Sequence, residues 1–500
     1  MNFFFIMDEK DWFKYRGYPH ISNDIPISKR KVMERYAQTP TLISKHSFLP
    51  LISKQIIQRR FKKISGFDFR SRSHKVIKDG LTKSSKKIRT IMYSCHQDAH
   101  IYAYYTKKVI EPLYEELLKS NSSINESVIA YRRLPTDDNK GNKNNIYFAK
   151  EVFDEIKKRK NCVALLFDIE NFFPSLDHKI LKLMWAKTLG CKSLPKDHYN
   201  LFKSITKYSF INLKELKTKN GRFDEKELAE IRNNGIHAYF NSVKDFLDSD
   251  LTIYKNPKKS KGIPQGLPIS ALLANMYMFP FDKTIVDDLT IKKNVFYRRY
   301  SDDMIFICER SQIDEVKEFV ENQIKLIKLD ISTDKTEIVE FEEKIVAGKL
   351  RLQSSRVLES NTIDNFPLSY LGFEFYGYQT LLKSKNLSSF YREMKESVAR
   401  KSKRVESIKK RDLIDDLPIF KRKIYRLYSY KGEKTRKLIY LPKSKNNRLK
   451  NRDYRGNFIR YALKSSDVLE APEIKHQIRN HWKILQKTIN KYNFSNNSNE

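Results

Sequence analysis

The chain has 500 residues, 40% of them hydrophobic and 12% aromatic, which is enough apolar mass for folded cores and too much length for one ordinary core. Its formal charge is +37, from 97 Lys and Arg against 60 Asp and Glu, and a folded chain this basic usually faces a polyanion. Biased codon usage explains a share of the lysines but not their clustering. Four cysteines, Cys95, Cys162, Cys191 and Cys308, stand singly, so neither a zinc knuckle nor a disulfide framework is suggested and reduced core thiols are expected.

Residues 1 to 85 are mixed, basic and aromatic, and carry no nameable motif. The apolar run Phe3 to Met7 is too short for a signal-peptide core, and no later stretch is long enough to span a bilayer. A soluble, cytoplasmic protein with no membrane partner is therefore expected. The stretch KKIRTIMYS from Lys86 predicts a strand, followed by a helix through Tyr102, Val109 and Leu113. Thr136 to Asn142 is a polar loop by composition. From Asn161 to Phe375, apolar strands alternate with amphipathic helices, the pattern of an α+β or α/β body.

Within that body, Val163 to Phe167 is an apolar run of five that ends in Asp168. It predicts a buried strand delivering a carboxylate at its end. A lone aspartate there is more often a turn former, but a large aromatic, Phe173, follows five residues later. Pro174 and Ser175 are expected to start a helix whose apolar face carries Leu176, Ile180, Leu181 and Met184. Two glycines and two prolines lie within Gly262-Ile263-Pro264-Gln265-Gly266-Leu267-Pro268, a shaped loop that lets backbone approach a ligand closely. Ser270 is positioned to cap the apolar helix after it.

Tyr300-Ser301-Asp302-Asp303 is flanked by Val295, Phe296 and Tyr297 and by Met304 to Ile307, which predicts strand, tight turn, strand. Adjacent carboxylates repel, so this tip calls for a cation. Leu329 to Glu337 and Ser369 to Phe375 are weak signals by themselves. Residues 380 to 500 read as mostly helical. From Arg400 to Arg460 there are 22 Lys and Arg against 6 Asp and Glu, with Phe420, Tyr425, Tyr428, Tyr430, Tyr440, Tyr454 and Phe458 among them. Basic side chains beside aromatic faces suit nucleic-acid backbone contact and base stacking. His476 and His481 are read as surface or packing residues.

Taken in order, Asp168…Phe173, Gly262 to Gly266, Tyr300 to Asp303, Asp334-Lys335-Thr336 and Tyr370-Leu371-Gly372-Phe373 resemble the palm motifs of reverse transcriptases. Lys87-Ile88-Arg89 and Ala130-Tyr131-Arg132 resemble their finger motifs. The resemblance covers about residues 86 to 376 and is nearest to bacterial enzymes of the retron and group II intron lineage. It implies an α+β right-hand polymerase with an antiparallel palm sheet. The organisation it implies is an N-terminal extension over 1–85, fingers and palm over 86–376 with an insertion at about 190–255, and a helical, basic, thumb-like region over 377–500.

The resemblance also implies roles. Asp168, Asp302 and Asp303, with the backbone carbonyl of Ile169, would hold two magnesium ions, with manganese as a substitute. Phe173 matches the steric gate against a ribose 2′-hydroxyl. Gln265 and Gly266 match positions lining the nucleotide and template base pair. Lys335 matches a lysine acting on the leaving pyrophosphate. Arg89, with Lys87 beside it, matches the finger residues that grip the triphosphate. Deoxynucleoside triphosphates, an RNA template and a DNA product follow as partners. The chain has no segment resembling ribonuclease H or an HNH endonuclease, and this architecture resembles antiphage, abortive-infection-type reverse transcriptases. Several of those use a dedicated non-coding RNA, and some assemble as homo-oligomers. Two other readings stay open: untemplated or protein-primed DNA synthesis at the same site, and a catalytically idle RNA-binding scaffold.

Overall fold

The computed structural model describes residues 12–59, 86–139, 141–218, 233–332, 336–346, 348–357, 362–412, 417–433 and 456–494, with residue 230 and strand pieces at 62–63, 72–73, 75–78, 81–84, 437–439 and 450–452. The described chain forms two compact bodies. One takes residues up to Tyr131, 167–305 and 314–336; the other takes 132–166, 306–313 and 337 onward.

The first body contains a four-stranded sheet. Its strands are Lys86–Tyr93, Leu51–Arg59, Ser209–Asn212 and Tyr254–Lys255, in that spatial order. The first pair is antiparallel, with Ile52 opposite Tyr93 and Ile57 opposite Ile88. The second is parallel, with Ile52 opposite Ile211. A parallel pair needs a long crossover, and here it is the entire stretch between strands 51–59 and 209–212. The residues read from sequence as an extension and an insertion meet in one apolar core. Ile21, Ile52, Ile211, Leu216, Tyr239, Phe240 and Phe246 pack together. The His20 amide donates to the His237 carbonyl, and the His20 carbonyl accepts from the Tyr239 amide.

The predicted strand after Lys86 is present as Lys86–Tyr93. The helix through Tyr102 and Leu113 is interrupted by a π turn at Tyr105–Ile110. Two expectations need correction. Pro174 and Ser175 do not start the long helix. They end a one-turn helix, Phe172–Ser175, and the chain turns at Leu176 before Asp177 caps His178–Thr188 by accepting from the Lys179 and Ile180 amides. Ser270 does not cap its helix either. Its hydroxyl donates to the Pro264 carbonyl at 2.6 Å, so it closes the loop before the helix. The helix itself, Ser270–Ile285, is buried on nearly every side, as a core helix with apolar residues all round must be.

In the second body, Cys162 to Leu166 pairs antiparallel with Glu337 to Phe341, and Glu337–Val346 pairs onward with Lys349–Val357 and Thr362–Asp364. A second sheet joins Leu368–Tyr370, Phe373–Phe375 and Thr380–Leu382. The 29-residue helix Ser384–Asp412 buries Phe390, Met394, Val398 and Val405 along one stripe. Met394 and Val398 close a core with Ile419, Ile424, Leu485 and Ile489. Burying that stripe turns Lys395, Arg400, Lys403, Arg404 and Lys410 outward into solvent. The region after residue 380 is mainly helical as expected, with short strands at 380–382, 437–439 and 450–452. His481 is a packing residue: it is buried and its Nε2 donates to the Tyr428 carbonyl. Among the described residues, no helix is long and apolar enough to cross a membrane.

Candidate active site

The strand Cys162–Asp168 is buried from Cys162 to Leu165 and opens to partial exposure at Asp168. Just past it the chain lies between two neighbours. The Ser332 amide donates to the Asp168 carbonyl and the Glu170 amide to the Asp330 carbonyl, both at 2.8 Å. On the opposite edge, the Ile169 amide donates to the Asp302 carbonyl at 3.1 Å. In an extended strand a residue's N–H and C=O point the same way, so the Ile169 carbonyl also faces the Asp302 edge. Asp168, the Ile169 carbonyl, Asp302 and Asp303 thus arrive at adjoining backbone positions.

The strands Phe296–Tyr300 and Asp303–Cys308 form the predicted hairpin, with Met304 to Cys308 fully buried. Ser301 and Asp302 make its turn. Ser301 has φ +64, a left-handed conformation unusual for a residue with a side chain. Asp302 is half-exposed and Asp303 exposed. Burial pushes the Tyr300 hydroxyl pKa up, with Tyr131 and Asp303 adding to it, so Tyr300 remains a neutral phenol.

Beneath the hairpin is a polar network that sequence reasoning missed. Arg299 is fully buried, yet its guanidinium holds Asp282 through Nε–Oδ1 and Nη2–Oδ2, each at 2.7 Å. Its Nη1 donates to Asn275 Oδ1 at 3.1 Å and to the Ser301 carbonyl at 3.2 Å. The Tyr297 hydroxyl also donates to Asp282, at 2.8 Å. Burial works against the Arg299 charge, but Asp282's charge and hydrogen bonds outweigh it and the pKa lies above its ordinary value. A buried charge persists only when paired and hydrogen-bonded in this way. A usable signal was present in the sequence: Asp282 is the one acid in the mainly apolar helix Ser270–Ile285.

The glycine-rich loop is fixed at two ends. The Ile263 amide donates to the Phe173 carbonyl at 3.0 Å, the Gly262 amide to the Leu176 carbonyl at 2.8 Å, and His178 Nε2 to the Gly262 carbonyl at 2.8 Å. At the other end the Met92 amide donates to the Gln265 carbonyl at 2.8 Å. A Cβ on Gly266, which has φ +121, would lie 2.6 Å from the Met92 carbonyl oxygen. Glycine is required there by both the dihedral and the close approach. The loop therefore ties the half-buried Phe173 to the strand Lys86–Tyr93.

Arg89 lies on that strand, three residues or roughly 10 Å from the Met92 contact, and its Nη1 donates to Gln58 Oε1 at 2.9 Å. Lys87 stands two residues further away, opposite Gln58. Lys335 and Asp334 lie outside the described residues. Among the described residues, no three His, Cys, Asp or Glu side chains converge closely enough to form a metal cluster. The available donors are all oxygens and are partly open to solvent, which suits magnesium, an ion that keeps several waters and takes few carboxylates.

The model of the reverse transcriptase (RNA-dependent DNA polymerase) family matches residues 78–375. The chain belongs to the reverse transcriptase family. That family is one of nucleotidyltransferases, and the architecture is an α+β polymerase fold with palm- and finger-like parts. No curated protein sequence matches this reverse transcriptase. Among solved structures, it is similar to apo telomerase from Candida tropicalis truncated from the C-terminal domain, at 12% identity, covering 61% of this chain and 54% of that one with a TM-score of 0.36. Telomerase from Candida albicans in complex with a fragment of telomeric RNA matches at 13% identity, covering 72% and 52%, with a TM-score of 0.34. The chain spans about half the length of these structures.

Proposed function

We propose that this reverse transcriptase adds deoxynucleotides to a primer 3′ end, copying RNA. The observation that carries the reading is the Ile169 amide bond to the Asp302 carbonyl, 3.1 Å long, which registers the Asp168 strand end against the Asp302–Asp303 turn. Asp168, Asp302, Asp303 and the Ile169 carbonyl would hold two magnesium ions. Held by these residues, magnesium would supply a lowered pKa for the primer hydroxyl and positive charge opposite the transferring phosphoryl group and the departing pyrophosphate. Phe173, tethered through its own carbonyl to the Gly262–Gly266 loop, stands as the sugar gate. Gln265 and Gly266, anchored on Met92, would line the nascent base pair, and Arg89, on the same strand, would grip the triphosphate.

The narrower reading is antiphage defence in the bacterial cytoplasm with a dedicated non-coding RNA. It is supported by the motif resemblance and by the outward row of Lys395, Arg400, Lys403, Arg404 and Lys410, a stripe fit for a nucleic-acid backbone.

The test supplies purified protein with magnesium, a primed RNA and labelled deoxynucleotides. Incorporation is expected, and Asp302→Ala or Asp303→Ala should abolish it. Incorporation undiminished in both variants overturns the metal assignment. Sequencing the co-purifying nucleic acid tests the partner: a single recurrent RNA supports the narrower reading, and a random pool removes it.

A further inference from the structure

Two residues that carry side chains adopt left-handed backbone next to the Asp302–Asp303 turn, and they bond to each other. Ser301 has φ +64 and Tyr131 has φ +62. The Tyr131 and Ser301 hydroxyls are hydrogen-bonded at 3.1 Å, although the two residues are 170 positions apart. Conformations of this kind are unfavourable for residues with a Cβ and persist only where the surroundings over-determine them.

Ser301 is over-determined. Its carbonyl accepts from Arg299 Nη1 at 3.2 Å, from below. Its side chain is 4% exposed and its hydroxyl is held by Tyr131. Tyr131 is placed in turn by its neighbours. Asn275 Nδ2 donates to the Ala130 carbonyl at 2.8 Å, and the Ile129 amide donates to the Arg299 carbonyl at 3.1 Å. The Tyr131 residue is 50% exposed, so core packing does not explain where it lies. A half-exposed aromatic in a strained conformation, with its polar tip on the strained residue of a turn, has the form of a latch.

We infer that Tyr131 is a positioning residue: its hydroxyl locks Ser301 in the left-handed conformation that aims the Asp302 and Asp303 carboxylates at the metal position. Tyr131 acts through Ser301 and need not touch nucleotide or primer. The inference rests on the polymerase reading above and adds a regulator of its metal affinity. With the latch open, the turn samples other conformations, and the carboxylates must be gathered by the ion itself. Metal requirement then rises while nucleotide contacts persist.

The experiment compares wild type, Tyr131→Phe, Ser301→Ala and the double variant, each first checked for an unchanged thermal melt. Magnesium binding to each is followed by isothermal titration calorimetry, where the Tyr131→Phe and Ser301→Ala proteins should bind more weakly than wild type, and primer extension is measured against magnesium and against deoxynucleotide. Losing one hydrogen bond of ordinary strength should raise the magnesium concentration for half-maximal rate by about fivefold. The nucleotide KM should stay unchanged, and saturating magnesium or manganese should restore most of the rate. The double variant should be no worse than either single one, because both open the same latch. A Tyr131→Phe enzyme with unchanged magnesium dependence overturns the inference. So does an effect confined to nucleotide KM, or strictly additive single effects. If wild type incorporates nothing, or Asp302→Ala incorporates normally, the polymerase reading itself has failed. A wild type that is active, an Asp302→Ala that is inactive and a Tyr131→Phe that is normal reject the latch alone.

Discussion

Arg299 and Asp282 form a two-pronged ion pair with both side chains fully shielded from water. The pair joins the strand leading into the Asp302–Asp303 turn to the helix that follows the Gln265 loop. Removing one partner would strand a buried charge, which typically costs about 3–5 kcal/mol. Arg299→Met and Asp282→Leu are each expected to lower the urea midpoint strongly. The double variant, with both charges gone, should recover a good part of that loss. A double variant less stable than either single one would show that the pair is not the principal restraint.

Gly266→Ala should disturb the Gln265 loop, because its new Cβ would meet the Met92 carbonyl oxygen at 2.6 Å and φ is +121. Strain of this kind costs of order 1–3 kcal/mol. Steady-state kinetics should show a raised deoxynucleotide KM. Gly141→Ala is the control: nothing lies within 4 Å of its Cβ and its φ is not positive. Its stability should change by less than about 0.5 kcal/mol.

Phe173→Ala tests the gate. This ring is only partly buried while its neighbour Phe172 is buried, and the two meet edge-on with centroids 5.5 Å apart. Phe172 thus belongs to the core, whereas Phe173 keeps part of its ring open to solvent. Competition between ribo- and deoxynucleotides should shift toward the ribonucleotide by about tenfold or more, the range that a steric fit of this size supports. An unchanged ratio would make Phe173 a packing residue.

Acid should weaken the packing of residues 12–21 within the first body. His20 and His96 are pushed down to about 3 and about 4, and His100 to about 3, mainly by burial. Arg16 works in the same direction on His100 and His96, whereas Asp24 opposes the shift at His96. Trp12 and Phe13 pack on His100, and Tyr18 stacks on His96. Each histidine is neutral when folded and takes a proton near pH 6.5 when unfolded. The stability it contributes is complete above that pH and falls as the pH drops toward 4. At pH 5 the loss is up to about 2 kcal/mol for each histidine. Urea midpoints at pH 7 and pH 5 check this, and His96→Asn should flatten the difference.

The features legible in the sequence share one property: each is a dense local pattern. Val163 to Asp168, Tyr300 to Ile307 and Gly262 to Gly266 announce strand, hairpin and shaped loop within a few residues, and the fold places them accordingly. The misreadings concern polar groups with distant partners. Arg299 passes unremarked in the sequence, because its burial depends on Asp282, which is on another element. Ser270 looks like a cap until Pro264 supplies a nearer acceptor. Nothing at Tyr131 signals a positive φ, because the reason for it lies at Ser301. The strands Ser209–Asn212 and Tyr254–Lys255 are too short to declare a period.

The parallel pairing of Leu51, Ile52 and Ser53 with Phe210, Ile211 and Asn212 has a consequence for biogenesis. The inner edge of the first strand has no partner until about 160 further residues have left the ribosome. At elongation rates of about 5–20 residues per second that interval is of the order of ten to thirty seconds. During it, a bare edge carrying Leu51 and Ile52 is available to any passing strand, including that of a neighbouring nascent chain. Yield of soluble protein should therefore depend on translation speed and on chaperone supply more than the stability of the finished molecule would suggest.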